Sequence, residues 1–562
     1  MEKRDWHKFY GEIPTSIPYP EESMYALIKK SIEKYPDSIA YDFMDKEVTY
    51  REFGRQIDNY ACGFYNMGFR PGDVMSIIMP TSPQGIIAFY AVNKLGGIAS
   101  FIHPLSTPSE LAHFLSLSKS KFALTLDIFY DKVTEIKGQT VLDKVFVTNI
   151  AVFLPWVKKS AYHLMTITKR VKLNSSWSVR MEKINKKCPG NLQKNNFDKD
   201  SIAVILYSGG TTGVPKGVML TNGNIVSEGM QVAVWGKLNH TDSILAILPI
   251  FHGFGLSVCI NAVLVAGGKT ILIPKFTVKE VAALIKKKHP TFLIGVPTLF
   301  KALLDENQFV NTNLSFLKAA FSGADTLPRK LKEEFDNTVK RNNGKATLLE
   351  GYGLTEAVTA IMAMPMDYYR EGSIGVPFPD MDAKIIDHET LETVPHGEIG
   401  EICLNGPAVM KGYIDNPDET ANTLKVHDDG KIWLHTGDLG YRDADGFFFF
   451  KQRLKRMIKS SGMNVYPSEV ENVICDHPDV RFACVIGVPD EHQMSRIKAF
   501  VELHDKEKAT KDKEKEIIDF VKSRLIKWSC PREIEFMKQL PLTKIGKVDY
   551  RKLEDIENER RK

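Results

Sequence analysis

The sequence predicts an α/β fold: a large N-terminal domain of stacked, parallel-rich sheets with helices plus a β subdomain, followed by a small α+β domain at the C-terminal end. Three observations carry that prediction. Short apolar, β-branched runs alternate with stretches of helical period from Ile39 onward, the pattern of parallel strands covered by helices. Several of those runs end in small-residue loops, and open α/β sheets bind ligands beyond the carboxyl ends of their strands. Finally, 562 residues exceed what one hydrophobic core organises, and the character of the chain changes near Lys451. The domains are read as 1–450 and 451–562, with a basic amphipathic insert at about 150–199.

In order, Ser23 to Ser38 has helical spacing (Leu27, Ile28, Ile32, Tyr35), and Ile39 to Tyr50 reads as a hairpin turning at Asp45-Lys46. Tyr50 to Met67 is helical and stops at Gly68. Val74–Met79 and Ala99–His103 are strand-like, each followed by a helical stretch. In the insert, Phe153-Leu154-Pro155-Trp156 precedes apolar residues at helical spacing decorated by Lys158, Lys159, Lys169, Arg170 and Lys172. A basic amphipathic helix with Trp near its start suits a membrane interface as well as packing on the body. Further strands are read at Ile202–Leu206, Ile244–Pro249, Lys269–Ile273, Thr291–Val296, Leu317–Ser322 and Thr347–Glu350. The Gly- and Pro-rich region Gly372 to Asp443 reads as a β subdomain. Beyond it, a helix near Ser468–Asp476, strands Val480–Val488 and Lys498–Leu503 and a helix reaching about Leu525 form the second domain.

Composition excludes several classes. The formal charge of +5 is small for this length and indicates no nucleic-acid partner. No apolar run approaches the roughly 20 residues needed to span a bilayer, and Met1 to Pro20 does not resemble a signal peptide. Seven scattered cysteines without a CxxC pair read as buried thiols in a reducing compartment. The expected location is cytoplasmic, with peripheral membrane contact through 153–172 left open.

The most informative stretch is Tyr207 to Gly217, Tyr-Ser-Gly-Gly-Thr-Thr-Gly-Val-Pro-Lys-Gly. Gly209, Gly210 and Gly213 allow main-chain N–H groups to approach a ligand closely, Ser208, Thr211 and Thr212 add hydroxyl donors, and Lys216 adds a mobile positive charge. The composition is that of a phosphate cradle. It is not a Walker A loop, because Gly217 follows the lysine where Ser or Thr is required.

Together with Pro249–Gly255, Ser322–Ala324, Gly351–Glu356, Thr436-Gly437-Asp438, Arg453–Pro467 and Lys547, this loop resembles the adenylate-forming superfamily of acyl-CoA synthetases, luciferases and peptide-synthetase adenylation domains. The motifs stand in the family's order from about Ser23 to Leu553. Gly-Gly-Thr-Thr-Gly and Gly462-Met-Asn-Val-Tyr-Pro467 look most like bacterial long-chain fatty-acid CoA ligases. The resemblance implies two half-reactions with ATP, Mg²⁺ and CoA: a carboxylate attacks the α-phosphorus to give acyl-AMP, then CoA displaces AMP. It places the loop and Lys216 on the β- and γ-phosphates, Glu356 on Mg²⁺, and Thr355 near the α-phosphate. Tyr352 and the Gly351 to Gly353 backbone would pack on adenine beside Gly323-Ala324, Asp438 would accept the ribose hydroxyls, and Arg453 would assist. Lys547 would stabilise charge during adenylation, and His252 would line the acyl-carboxylate and pantetheine junction. Lys455 matches the hinge of the mobile domain, whose rotation would withdraw Lys547 and present Ser461-Gly462 to pantetheine.

The sequence departs from the family at Gln452, where Asp or Gly is usual, at Arg456, where Asp is common, and at Asp549-Tyr550, where Leu-Arg is frequent. The expected function is activation of a medium- to long-chain fatty acid to acyl-CoA. The alternatives are an aryl- or other-acid CoA ligase, an acyl-AMP ligase loading a carrier protein, and a degenerate homologue that only binds nucleotide or lipid. A homodimer is left open.

Overall fold

A computed structural model describes residues 4–165, 171–174, 176–188, 198–208, 215–460, 463–490, 494–543 and 548–561. The expectations placed on Gly209, Gly210, Thr211, Thr212, Gly213, Ser461, Gly462 and Lys547 lie outside the described residues.

Two large sheets stack in the N-terminal domain. One has eight strands, and its central run (Ile202–Ser208, Ile98–Ile102, Val74–Ile78, Phe122–Leu126, Lys144–Thr148, Ser178–Arg180) is parallel throughout. The other has nine strands, with Leu348–Gly353, Ala319–Ser322, Phe292–Gly295, Ser243–Ala246, Lys269–Leu272 and Ile39–Phe43 parallel in that order. The helix Pro83–Lys94 is buried at every position from Pro83 to Asn93. A helix apolar around its whole circumference can only lie inside a core, and this one joins the main cluster with Phe89 and Tyr90 wholly buried. A five-stranded antiparallel sheet (Asp382–Ile386, Gly400–Asn405, Ile432–Arg442, Leu424–Val426, Phe448–Arg453) forms the β subdomain.

The C-terminal domain is α+β with its own core. Strands Val480–Asp490, Met494–Leu503 and Glu533–Phe536 make one sheet. Helices Pro467–Cys475 and Lys511–Lys522 bury Val470, Ile474, Ile517 and Val521 beside Val485 and Ile497. The charged run before Glu516 enters this second helix only at Lys511, because Thr510 caps it by accepting the Lys513 N–H.

Some expectations are corrected. The first hairpin turns at Met44-Asp45, one residue earlier than read; both take left-handed φ (53° and 76°), as a tight two-residue connection demands. Gly351 to Gly353 are not a loop. They continue the strand Leu348–Gly353 and pair with Ala360–Ala363, so closely that a Cβ on Gly353 would lie 1.4 Å from the Thr359 carbonyl oxygen. Thr436 to Asp438 likewise sit within a strand, Ile432–Arg442. In the insert, a helix does run over Trp156–Met165, but Phe153 and Leu154 are core residues that pin its start. Trp156, by contrast, is 79% exposed. The expectation of seven free thiols also fails: Cys62 and Cys188, 126 residues apart, form a disulfide with Cα atoms 4.9 Å apart. Asn66 donates to the carbonyls of Asn185 and Lys187 and so holds this segment against the end of the helix carrying Cys62. The other five cysteines are free. No helix among the described residues is long and apolar enough to cross a membrane.

Candidate active site

A single cavity of about 1530 Å³ is lined by residues of both large sheets, the β subdomain and the C-terminal domain. At one end stands Asp438, whose side chain is 2% exposed. Its strand pairs antiparallel with Phe448–Arg453 so that Asp438 faces Arg453. The guanidinium lies 2.9 Å from one carboxylate oxygen, and the Tyr352 hydroxyl donates to the other at 2.7 Å. Gly437 makes the bend that aims Asp438: its φ is +67°, and nothing stands within 4 Å of a Cβ there, so the requirement is conformational. Glu401 fixes the bend, one oxygen accepting the Gly437 N–H at 2.8 Å and the other bonding His435 at 2.9 Å. The Asp438 charge raises the Arg453 guanidinium pKa, and burial followed by that same charge pushes the Tyr352 phenol well up. Both groups therefore keep their protons.

The opposite end is organised around Lys216. Ser208 and Lys216 are partners in the hairpin of Ile202–Ser208 with Lys216–Thr221, which brings the two ends of the Gly-rich loop together. The Lys216 ammonium contacts Glu419 and lies 4.8 Å over the Tyr413 ring. The Tyr413 hydroxyl donates to Glu356 at 2.9 Å. Glu356 is in the short turn Thr355–Ala357, and its carbonyl accepts the Met410 N–H at 2.8 Å. Val358, just beyond, is held at φ +63°, a strained conformation for a β-branched residue.

Between the two ends, Ser322, Gly323 and Ala324 line the cavity, with Ala324 at φ +69°. His252 also lines it and accepts the Phe254 N–H at Nδ1, 3.2 Å away. Neutral His252 therefore carries its proton on Nε2. From the C-terminal domain, Lys455, Arg456, Thr543, Val548 and Tyr550 complete the wall. Two of the family departures, Arg456 and Tyr550, have structural partners here. Arg456 contacts the Glu471 carboxylate, donates to the Val485 carbonyl at 3.3 Å and lies 4.8 Å over the Tyr550 ring. Gln452 is fully buried, and nothing in the structure explains why an amide stands there.

The structure thus gathers Ser208, Lys216, His252, Gly323, Ala324, Gly351, Tyr352, Gly353, Thr355, Glu356, Asp438, Arg453 and Lys455 around one cavity. Sequence reading missed Tyr413 and Glu419, which hold the lysine and the glutamate. It also missed Glu350, a buried carboxyl on the cavity wall that accepts from the Tyr369 hydroxyl at 2.9 Å and is pushed up to about 7 by burial. Its position directly before Gly351 was the available signal.

A large cavity with a cation at one end and, at the other, a buried carboxylate flanked by Arg453 and Tyr352 defines a class, and comparison with known proteins agrees. The family model for AMP-binding enzymes matches residues 28–414, and that for the AMP-binding enzyme C-terminal domain matches residues 469–547. The chain belongs to the AMP-binding enzymes, the adenylate-forming family that its motifs resemble. Among individual relatives, a long-chain-fatty-acid–CoA ligase of Bacillus subtilis (strain 168) is 35% identical over 567 residues, 99% of each chain. Of solved structures, ATP-bound MatB from Rhodopseudomonas palustris superposes with a TM-score of 0.81 at 25% identity, covering 95% of this chain and 99% of that one. A long-chain-fatty-acid-CoA ligase from Archaeoglobus fulgidus gives 0.68 at 25% identity, covering 93% and 98%.

Proposed function

We propose that this chain is an AMP-forming acid–thiol ligase that activates a medium- to long-chain fatty acid with ATP and passes the acyl group to CoA. The observation that carries the acid's identity is the apolar part of the cavity lining. Val232, Trp235, Leu238, Ile244, Phe292 and Ile294 line the same cavity as Asp438 and Lys216 and add apolar side chains to it. Each methylene removed from water there contributes about 0.8 kcal/mol, which favours a long chain over a short or charged acid. The similarity to fatty-acid ligases supports the same choice.

In this reading, Asp438 accepts the ribose hydroxyls, with Arg453 and the Tyr352 hydroxyl holding its carboxylate in place. Adenine lies between the Tyr352 strand and the Gly323-Ala324 backbone. Lys216 and Ser208 grip the β- and γ-phosphates, and the Thr355 hydroxyl lies at the α-phosphate. Glu356, a hard oxygen donor on the cavity wall, fits Mg²⁺, which would neutralise phosphate charge when bound. The fatty-acid carboxylate oxygen attacks the α-phosphorus and pyrophosphate leaves. CoA thiolate then adds to the acyl carbonyl and AMP leaves, with His252 beside the junction. Holding the reactants in line and excluding water from the mixed anhydride are the main demands. Lys547 supplies charge in the first step, and a hinge at Lys455, just past a domain boundary near 450/451, withdraws it for the second. Peripheral membrane contact through 153–172 would use the exposed Trp156 and Val157; retention of a Trp156→Ala variant on anionic liposomes equal to the parent would dismiss it.

The test is a panel of carboxylic acids assayed for ATP- and CoA-dependent AMP formation. Turnover should peak with acids of about ten or more carbons, by the chain-length dependence of apolar transfer. A peak with aryl acids, or AMP formation that ignores CoA, would refute the reading.

A further inference from the structure

The residue that grips phosphate in this reading has a carboxylate partner that is built into the fold. Lys216 is only 14% exposed and contacts the Glu419 carboxylate, itself 34% exposed. Glu419 is not a drifting surface side chain. It sits in the first turn of the helix Pro417–Thr423, where Asn416 accepts its N–H at 3.1 Å. Just upstream, the strand Gly412–Tyr413 pairs antiparallel with the strand that carries Lys216, Tyr413 opposite Val218. The Tyr413 N–H donates to the Thr420 hydroxyl at 2.9 Å, which ties strand and helix together. The segment 412–420 is therefore one unit that presents a carboxylate and an aromatic face to the same ammonium. Glu419 and Lys216 both line the cavity.

A half-buried ion pair held by rigid elements resists separation more than a mobile surface pair. An incoming triphosphate, or pyrophosphate rebinding after adenylation, competes with Glu419 for the same cation. We infer that Glu419 is an internal counter-ion that sets how tightly Lys216 holds the polyphosphate, weakening ATP and pyrophosphate binding. Resting on the proposed role of Lys216, this makes Glu419 a positioning residue that keeps the lysine from retaining pyrophosphate. Binding energy common to substrate and product strengthens product inhibition without aiding chemistry, so a competing carboxylate of this kind keeps pyrophosphate inhibition weak.

The experiment uses the full chain with its preferred fatty acid and compares the parent, Glu419→Gln, Lys216→Ala and the double variant. ATP KM, kcat and inhibition by pyrophosphate are measured for each, with a thermal melt to confirm folding. Glu419→Gln should lower ATP KM about fivefold and strengthen pyrophosphate inhibition by a similar factor, the effect falling on KM rather than kcat. In the Lys216→Ala background the same change should do nothing. Glu419→Asp, which keeps the charge, should lie between Gln and the parent and serves if Gln does not fold. If Lys216→Ala leaves ATP KM unmoved, the proposed phosphate role of Lys216 is wrong. If Lys216→Ala raises it while Glu419→Gln changes neither constant, raises KM, or acts equally without the lysine, the counter-ion inference alone is overturned.

Discussion

The two ends of the cavity hold their charges differently. At the proposed nucleoside end, Asp438 takes its place from strand register: Arg453 is its direct cross-strand partner, Tyr352 reaches it from another sheet, and both contacts come from the fold itself. At the proposed phosphate end, Lys216 is paired with Glu419, and Glu356 with Tyr413; in that reading phosphate would compete with the first partner and Mg²⁺ with the second. One end is preorganised and the other is occupied. A ligase has reason for this difference, because AMP stays through both half-reactions while pyrophosphate must leave between them.

The largest effect should come from Asp438→Ala. It removes the buried carboxylate held by the Tyr352 hydroxyl and the half-exposed Arg453 guanidinium; hydrogen bonds to a charged group are worth about 1.5–3 kcal/mol each, so kcat/KM for ATP should fall by roughly 10². A loss below about tenfold would mean that this end is not preorganised around the carboxylate. Tyr413→Phe should act less strongly and on a different variable. Losing one hydrogen bond to a charged group, worth about 1.5–3 kcal/mol at most, should raise the Mg²⁺ concentration needed for half-maximal rate several-fold. Unchanged Mg²⁺ dependence would separate Tyr413 from the metal-binding role proposed for Glu356.

The last effect falls on stability rather than turnover and concerns Glu228, a buried carboxyl that ties the strand Ala360–Ala363 to the helix Phe254–Asn261. One oxygen accepts the Ala360 N–H at 3.2 Å, and the other contacts the Ser257 hydroxyl. Burial raises its pKa from 4.5 to about 8. The unfolded chain ionises Glu228 above about 4.5 while the folded one keeps it neutral. Unfolding therefore releases a proton across that window, and stability falls as pH rises from about 4.5 to about 8, by up to ~1.4 kcal/mol per unit. Glu350 adds to the same slope up to about 7. Thermal midpoints of Glu228→Gln between pH 5 and 8.5 should decline less than those of the parent, and an identical slope would contradict the assignment.

The strands and helices were legible because their residues obey periods of 2 and 3.6, and the nucleoside end because Thr-Gly-Asp and Gly-Tyr-Gly are short, fixed runs. Even there, glycines that read as a loop at Gly351 to Gly353 are strand residues, since the need for glycine came from a neighbouring backbone rather than from a turn. Tyr413 and Glu419 left no local signal. They occupy an unremarkable stretch about 200 residues from Lys216, and only the antiparallel pairing of Gly412–Tyr413 with the lysine's strand brings them to the site. The Cys62–Cys188 bridge was hidden in the same way, because separation along the chain says nothing of distance in the fold.

The central claim is that this cavity joins a fatty-acid carboxylate to the α-phosphate of ATP. The most direct measurement is exchange of labelled pyrophosphate into ATP without CoA, with and without a long-chain fatty acid. The account predicts exchange that requires the acid and Mg²⁺ and is lost in Lys547→Ala. Exchange that proceeds without the acid, or acid-dependent release of ADP and phosphate instead of AMP and pyrophosphate, would contradict it.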